Sequence, residues 1–191
     1  FCASYGVRMN NALVFDITND ILLQTPGEEQ TLDLSRYYND DWNNTNEDVL
    51  LDVDIQPIFS SLCENHYFRK LIVKDVNLRR CATQLKELMT SNTTIESLSL
   101  INVSLGSKWS EVLEGYVYNH KHNIKALDVS FNQIDAKGIE AIGQMVRSYG
   151  LVTLNIENVL VKSHLVSSFL DDLRKIRTVI PLTSLNISGA H

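Results

Sequence analysis

A doublet of aliphatic residues, Leu-x-Leu, returns along this chain at a nearly constant interval. The fuller unit reads Leu-x-Leu-x-x-(Asn or Val)-x-Leu. It stands at Leu71–Leu78 (LIVKDVNL), Leu98–Leu105 (LSLINVSL), Leu127–Ile134 (LDVSFNQI) and Leu154–Val161 (LNIENVLV), with shorter copies at Leu32 (LDL) and Leu185 (LNI). From Leu71 onward the anchors are 27, 29, 27 and 31 residues apart. Alternation over three residues is the period of a strand. Leu71/Val73, Leu98/Leu100, Leu127/Val129, Leu154/Ile156 and Leu185/Ile187 are therefore expected to face one core.

Between anchors the apolar period changes from 2 to about 3.6, the spacing of a helix. The segments read Ile55, Ile58, Phe59, Leu62 after Asp54, then Cys81, Leu85, Leu88, Met89. Trp109, Val112, Leu113, Tyr116, Val117 follow Ser107, and Ile139, Ile142, Met145, Val146 follow Asp135. The last set, after Ser163, is Leu165, Val166, Phe169, Leu170, Leu173 and Ile176. Ser107, Asp135 and Ser163 are natural N-caps, because their side-chain oxygens can accept from unpaired first-turn amides. A short strand, a helix and a right-handed return to the next parallel strand make the simplest geometry. Repeats of this length and signature predict an α/β leucine-rich-repeat solenoid of the ribonuclease-inhibitor type. Strands would line the concave side and helices the convex side. Residues 32–191 would hold about six repeats, the last cut short, and residues 1–31 an N-terminal cap or a linker from an upstream domain. Within 1–31, the stretches 12–17 and 21–23 read as short strands. Residues 39–54, with six acidic and no basic residues, read as a polar loop running into a helix that begins near Asp54.

Composition narrows the function. A hydrophobic fraction of 44% with 3 prolines in 191 residues is that of a globular chain. A net charge of -6 disfavours nucleic-acid binding, which needs lysine and arginine against phosphate. Cys2, Cys63 and Cys81 make no closed disulfide set and match no zinc spacing, so buried, reduced thiols of a cytosolic protein are expected. The sequons at Asn43, Asn92, Asn102 and Asn186 are the number chance gives in a chain rich in Asn, Ser and Thr. No apolar run is long enough to span a membrane. The chain opens FCASYGVRMN and stops at LNISGAH, which reads as a fragment of a longer protein.

No catalytic constellation is present: no G-x-S-x-G, no phosphate-cradling glycine loop, no H-E-x-x-H. Asp40–Glu47 lacks the glycine and spaced glutamate of a calcium loop, and His120 and His122 lack ligand partners. No cofactor, metal or small-molecule substrate is expected. The outward strand positions are the expected protein-binding surface: Ile72, Lys74, Ser99, Ile101, Asp128, Ser130, Phe131, Asn155 and Glu157. Asp33, Ser35, Asn186 and Ser188 continue it at the two ends. Ile72 and Ile101, with Phe131 beyond, would form an apolar patch; the plainer reading is a solvated strip. Arg69, Lys70, Lys74, Arg79 and Arg80 form a basic group that could balance the acidic 39–54 loop.

Residues outside the anchors carry a resemblance. Phe1-Cys2-x-x-Tyr5, followed by Val14-Phe15-Asp16-Ile17, resembles the opening of the leucine-rich region of CARMIL proteins. Thr31–Leu34 with Tyr37-Tyr38, Asn65–Leu71 with Lys74–Leu78, and Ile95–Asn102 resemble further segments of that family in the same order. Phe15 and Tyr67 stand where the family has tryptophan, and the 39–54 segment is longer than its norm. The resemblance implies a non-enzymatic cytoplasmic scaffold of the actin cortex, at the plasma-membrane periphery. It implies actin-regulatory protein partners, with capping protein reached only through a downstream region absent here, and membrane only through an upstream domain. The alternatives are a sensor or inhibitor of the ribonuclease-inhibitor class, or a GTPase-activator or ubiquitin-ligase adaptor subunit. A GTPase activator would supply an exposed arginine, for which Arg36 and Arg80 are the candidates.

Overall fold

The computed structural model describes residues 30–36, 51–118, 123–148, 150–159, 163–174 and 181–189. The expected cap up to residue 29, the strands expected within it, Cys2, most of the acidic segment, His120, His122 and Ile176 lie outside the described residues.

Among the described residues six strands alternate with five α-helices: β1 (Thr31–Asp33), α1 (Leu51–Cys63), β2 (Lys70–Lys74), α2 (Ala82–Ser91), β3 (Ser97–Ile101), α3 (Trp109–Tyr118), β4 (Ala126–Asp128), α4 (Ala136–Ser148), β5 (Thr153–Asn155), α5 (Ser163–Arg174) and β6 (Ser184–Asn186). The strands form one parallel sheet in the order β1-β2-β3-β4-β5-β6. Its register is the sequence pattern itself. Leu32 pairs with Leu71, Leu71 with Leu98, Leu98 with Leu127, Leu127 with Leu154 and Leu154 with Leu185. Each helix packs on the next, α1 on α2 through α4 on α5. Neighbouring strands sit about 4.8 Å apart and packed helices about 8–10 Å apart, so two such layers can stack only by curving, with the sheet inside.

A single core runs between the layers. Leu71, Val73, Leu98, Leu100, Leu127, Val129, Leu154 and Ile156 are buried from the sheet side. Phe59, Leu85, Trp109, Tyr116, Ile142 and Met145 meet them from the helices. Leu185 departs from the expectation: it is 37% exposed, and Ile187 is half-buried. β6 is the sheet's edge, so the pair has a neighbour on one side only among the described residues.

Strand length follows from one residue. Counting each anchor's first leucine as position 1, position 2 is Asp33, Asp128, Asn155 or Asn186 in four repeats. Each of these side chains accepts the amide of the residue two further on: Ser35 at 3.0 Å, Ser130 at 2.9 Å, Glu157 at 3.0 Å and Ser188 at 3.1 Å. Such a turn takes a backbone donor that would otherwise extend the ladder, and all four strands stop after three residues. β2 and β3 carry Ile72 and Ser99 at position 2 and run for five.

Helix entry differs from expectation in three places. Asp135 is the N-cap it was read to be, accepting from the Gly138 amide at 2.9 Å. Ser107 is not: it sits inside a 3-10 turn, Gly106–Lys108, closed by Lys108 N–H to the Leu105 carbonyl, and α3 starts at Trp109. α1 begins at Leu51, three residues ahead of Asp54, so Pro57 lies within the helix. Ser163 is itself the first residue of α5.

The segment that carried much of the resemblance is a structural turn. Asn65 Oδ1 accepts from the amides of Tyr67 (2.9 Å) and Phe68 (3.0 Å), and Phe68 is buried edge-to-face on Tyr67. Asn92 does the same for Thr94 and Ile95 one repeat later, and its Nδ2 reaches back to the Leu62 carbonyl at 2.7 Å. Cys63 and Cys81 are free thiols, Cys81 buried and Cys63 half-buried. Burial pushes the Cys63 thiol up, against a lowering hydrogen bond with Ser91.

Candidate functional site

A groove of about 850 Å³ runs along the C-terminal ends of β2 to β5 and the turns that follow them. It holds Lys74, Ile101, Ser130, Phe131, Asn155 and Glu157 of the expected surface. Ile72, Ser99 and Asp128 lie outside its lining. Ile72 pairs with Ser99, and it is Lys74 that pairs with Ile101. The expected Ile72–Ile101 patch is therefore offset along the strands, and the apolar part of the groove is Ile101 with Phe131.

Hydrogen bonds tie the position 2 side chains of Asp128 and Asn155 into the turns. Asp128 is occupied by the Ser130 amide on Oδ1 and by Asn155 Nδ2 on Oδ2, at 2.9 and 3.0 Å. Asn155 in turn accepts from Glu157 N–H. Ser130 is only 2% exposed, since its carbonyl accepts from both Asn132 Nδ2 and the Asn102 amide and draws the residue in.

What the outward-residue rule missed is the column at position 5. From Leu71 on it holds Asp75, Asn102, Phe131, Asn158 and Gly189, and every one has a positive φ, between 50° and 65°. The left-handed region costs an L-residue about 1–2 kcal/mol, least for Gly, Asn and Asp. Four members of the column are those residue types. Phe131, at φ 60°, is the exception, and its side chain is 50% exposed. The backbone around it is fully committed. Asn132 is buried and donates to the carbonyls of Leu100 (2.7 Å), Val129 (2.9 Å) and Ser130 (3.0 Å), while its Oδ1 accepts the Val103 amide (2.9 Å). The repeat thus holds an aromatic ring over the groove on a rigid, strained backbone, as strain is held at functional positions.

The groove's charges are few. Lys74 Nζ lies 3.8 Å from Asp75 Oδ2, and Asp75 Oδ1 accepts from Asn102 Nδ2 at 2.7 Å. Glu157 Oε2 accepts from Asn186 Nδ2 at 3.0 Å and has no cation beside it among the described residues. Within the expected basic group, Arg69 pairs with Glu96 of the next repeat at 2.6 Å, and most of the acidic segment the group could balance lies outside the described residues. No cluster of three or more His, Cys, Asp or Glu able to hold a metal occurs among the described residues. No helix described is long and apolar enough to cross a membrane.

Residues 120–143, which span β4 and the first half of α4, match the family model for a leucine-rich repeat. The coil is a leucine-rich-repeat solenoid. The matched repeat is the one that carries Phe131 and Asn132. No curated protein matches the chain. Leucine-rich-repeat solenoids are extended surfaces for protein partners, and the groove has the exposed ring and the open shape of such a surface.

Proposed function

We propose that this chain is an interaction scaffold that docks a protein partner in the groove along the ends of β2 to β5. One observation carries it: Phe131 is a large apolar side chain held half in water on a backbone conformation that disfavours it. Neither packing nor local propensity accounts for that choice, whereas aromatic anchors recur as binding hot spots. Within this reading, the order of CARMIL-like segments supports a cortical scaffold of actin regulation with actin-regulatory partners. The ribonuclease-inhibitor-like alternative uses the same face, whereas the GTPase-activator alternative would use an exposed arginine, Arg36, which is 73% exposed beside Asp33, or Arg80.

A photo-crosslinking residue at 131 tests the docking. Placed in the protein in cells, it is expected to give discrete protein adducts that the same residue at Glu140, on the exposed face of α4, does not give. Equal or absent adducts at the two positions would end the docking reading. Adducts without any actin-regulatory protein would end the cortical one.

A further inference from the structure

We infer that the occupant of the groove is an extended peptide segment whose arginine stacks on Phe131 and pairs with Glu157. The inference rests on the docking reading above and adds the partner's chemistry. The groove crosses four strands, about 14 Å at the usual strand spacing, which matches four to five extended residues. Along that length its character changes. At the β2 end Lys74 and Asp75 face each other, and Ile101 supplies apolar surface, so that end has no net charge to complement.

At the β5 end the charge is uncompensated. Among the described residues Glu157 is held by the side-chain amide of Asn186, and Asp128, one strand away, by Asn155 and the Ser130 amide. Amide partners fix a carboxylate's position without neutralising it. The Phe131 amide donates to the Glu157 carbonyl at 2.9 Å, which ties the ring and the carboxylate to adjacent rungs of one ladder. A cation entering there meets a ring face and a carboxylate together. Arginine fits better than lysine, because its planar guanidinium can stack on the ring while its edge bonds the carboxylate. The uncommitted amide side chain of Gln133, exposed on the groove's rim, is suited to bond the peptide's backbone.

The test uses the purified chain and immobilised decapeptide pools that share one fixed central residue (Arg, Lys, Leu or Glu) and are otherwise random. The Arg pool should be retained at least about three-fold better than the Leu pool, a difference within the range of one cation–π contact plus an ion pair. The Glu pool should be retained least. Phe131→Ala should remove the Arg preference, and Glu157→Lys should move it to the Glu pool, with circular dichroism unchanged in both variants. Retention that needs Phe131 but ignores the central charge overturns the arginine assignment and leaves the docking reading standing. Retention indifferent to Phe131→Ala, or no pool retained by the unmodified chain, overturns both.

Discussion

Phe131 gives its backbone amide to the carbonyl oxygen of Glu157, 2.9 Å away on the next repeat. Asp75 to Ile101, Asn102 to Ser130 and Asn158 to Ser188 repeat that bond, so the left-handed residue of each repeat is pinned by its neighbour. The coil therefore sets the backbone at position 5 whatever residue occupies it. A residue there can be chosen for what its side chain meets outside, at the cost of the left-handed conformation.

That gives the first prediction. Phe131→Asn should change stability by no more than about 1 kcal/mol. The half-exposed ring forfeits roughly 1–1.5 kcal/mol of burial, and Asn recovers a similar amount of the left-handed penalty. A buried phenylalanine cut back would cost about 3–5 kcal/mol. Urea denaturation separates the two cases, and a loss above about 2 kcal/mol would show that the ring belongs to the core.

Asn132 should behave in the opposite way. Its side chain satisfies three carbonyls and one amide in the interior. Position 6 is Val76, Val103 and Val159 in the neighbouring repeats, so the fold does not require asparagine there. Once the surrounding groups are arranged for an amide, however, removing it strands the Val103 N–H and the carbonyls. Asn132→Ala is expected to cost about 2–3 kcal/mol in urea denaturation, with faster hydrogen exchange at the Val103 amide. An unchanged exchange rate there would mean that the bond to Asn132 does not protect it.

Gly115 marks the closest approach of two helices. A Cβ there would lie 2.7 Å from the Lys86 carbonyl and 2.9 Å from Thr90 Oγ1 on α2. Alanine is worth about 1 kcal/mol over glycine in an unhindered helix, but overpacking costs about 1–3 kcal/mol. The contact is with backbone on one side, which cannot turn away. Gly115→Ala should therefore lower the urea midpoint. A raised midpoint would mean that α2 and α3 separate freely.

The anchors were legible because burial forces them. Each Leu-x-Leu faces the same core, and register slips would expose every leucine at once, so sequence spacing and sheet pairing coincide from Leu32 to Leu185. The groove was only half legible. Its apolar members Ile101 and Phe131 stand out as large side chains at outward positions, but Ile72, at position 2, was grouped with Ile101, at position 4, although aligning the anchors sets them one pleat apart. Asp128 and Asn155 look like surface residues in any alternating pattern, and only hydrogen bonding shows that they close turns. The signal that could have found the site is the column Asp75, Asn102, Phe131, Asn158, Gly189. Four residues that tolerate left-handed backbone and one that does not can be seen by aligning the repeats. The reason for the preference is a backbone angle, which no hydrophobic period reports.

The last prediction concerns the opposite end of the strands. Arg69, Glu96 and Lys125 each stand two residues ahead of an anchor and so line up across three repeats. Glu96 Oε1 lies 2.6 Å from Arg69 Nη1 and its Oε2 3.2 Å from Lys125 Nζ. The hydrogen bond with Lys125, then that with Arg69, holds the Glu96 carboxyl below its ordinary value of 4.5. A carboxyl whose folded value is depressed stabilises the fold above its unfolded value and loses that contribution as pH falls through the folded one. The ladder's contribution should thus be complete at pH 7 and fade in acid below about 4.5. Its partners are half exposed, at 57% and 54%, so solvent screening keeps the contribution below about 1 kcal/mol. Glu96→Gln should be less stable than the unmodified chain at pH 7 by that small margin, and the two should converge near pH 3. Adding 1 M salt at pH 7 should close most of the gap as well. Urea midpoints at the two pH values measure it, and a gap of equal size at pH 3 would mean that Glu96 acts through packing, not charge.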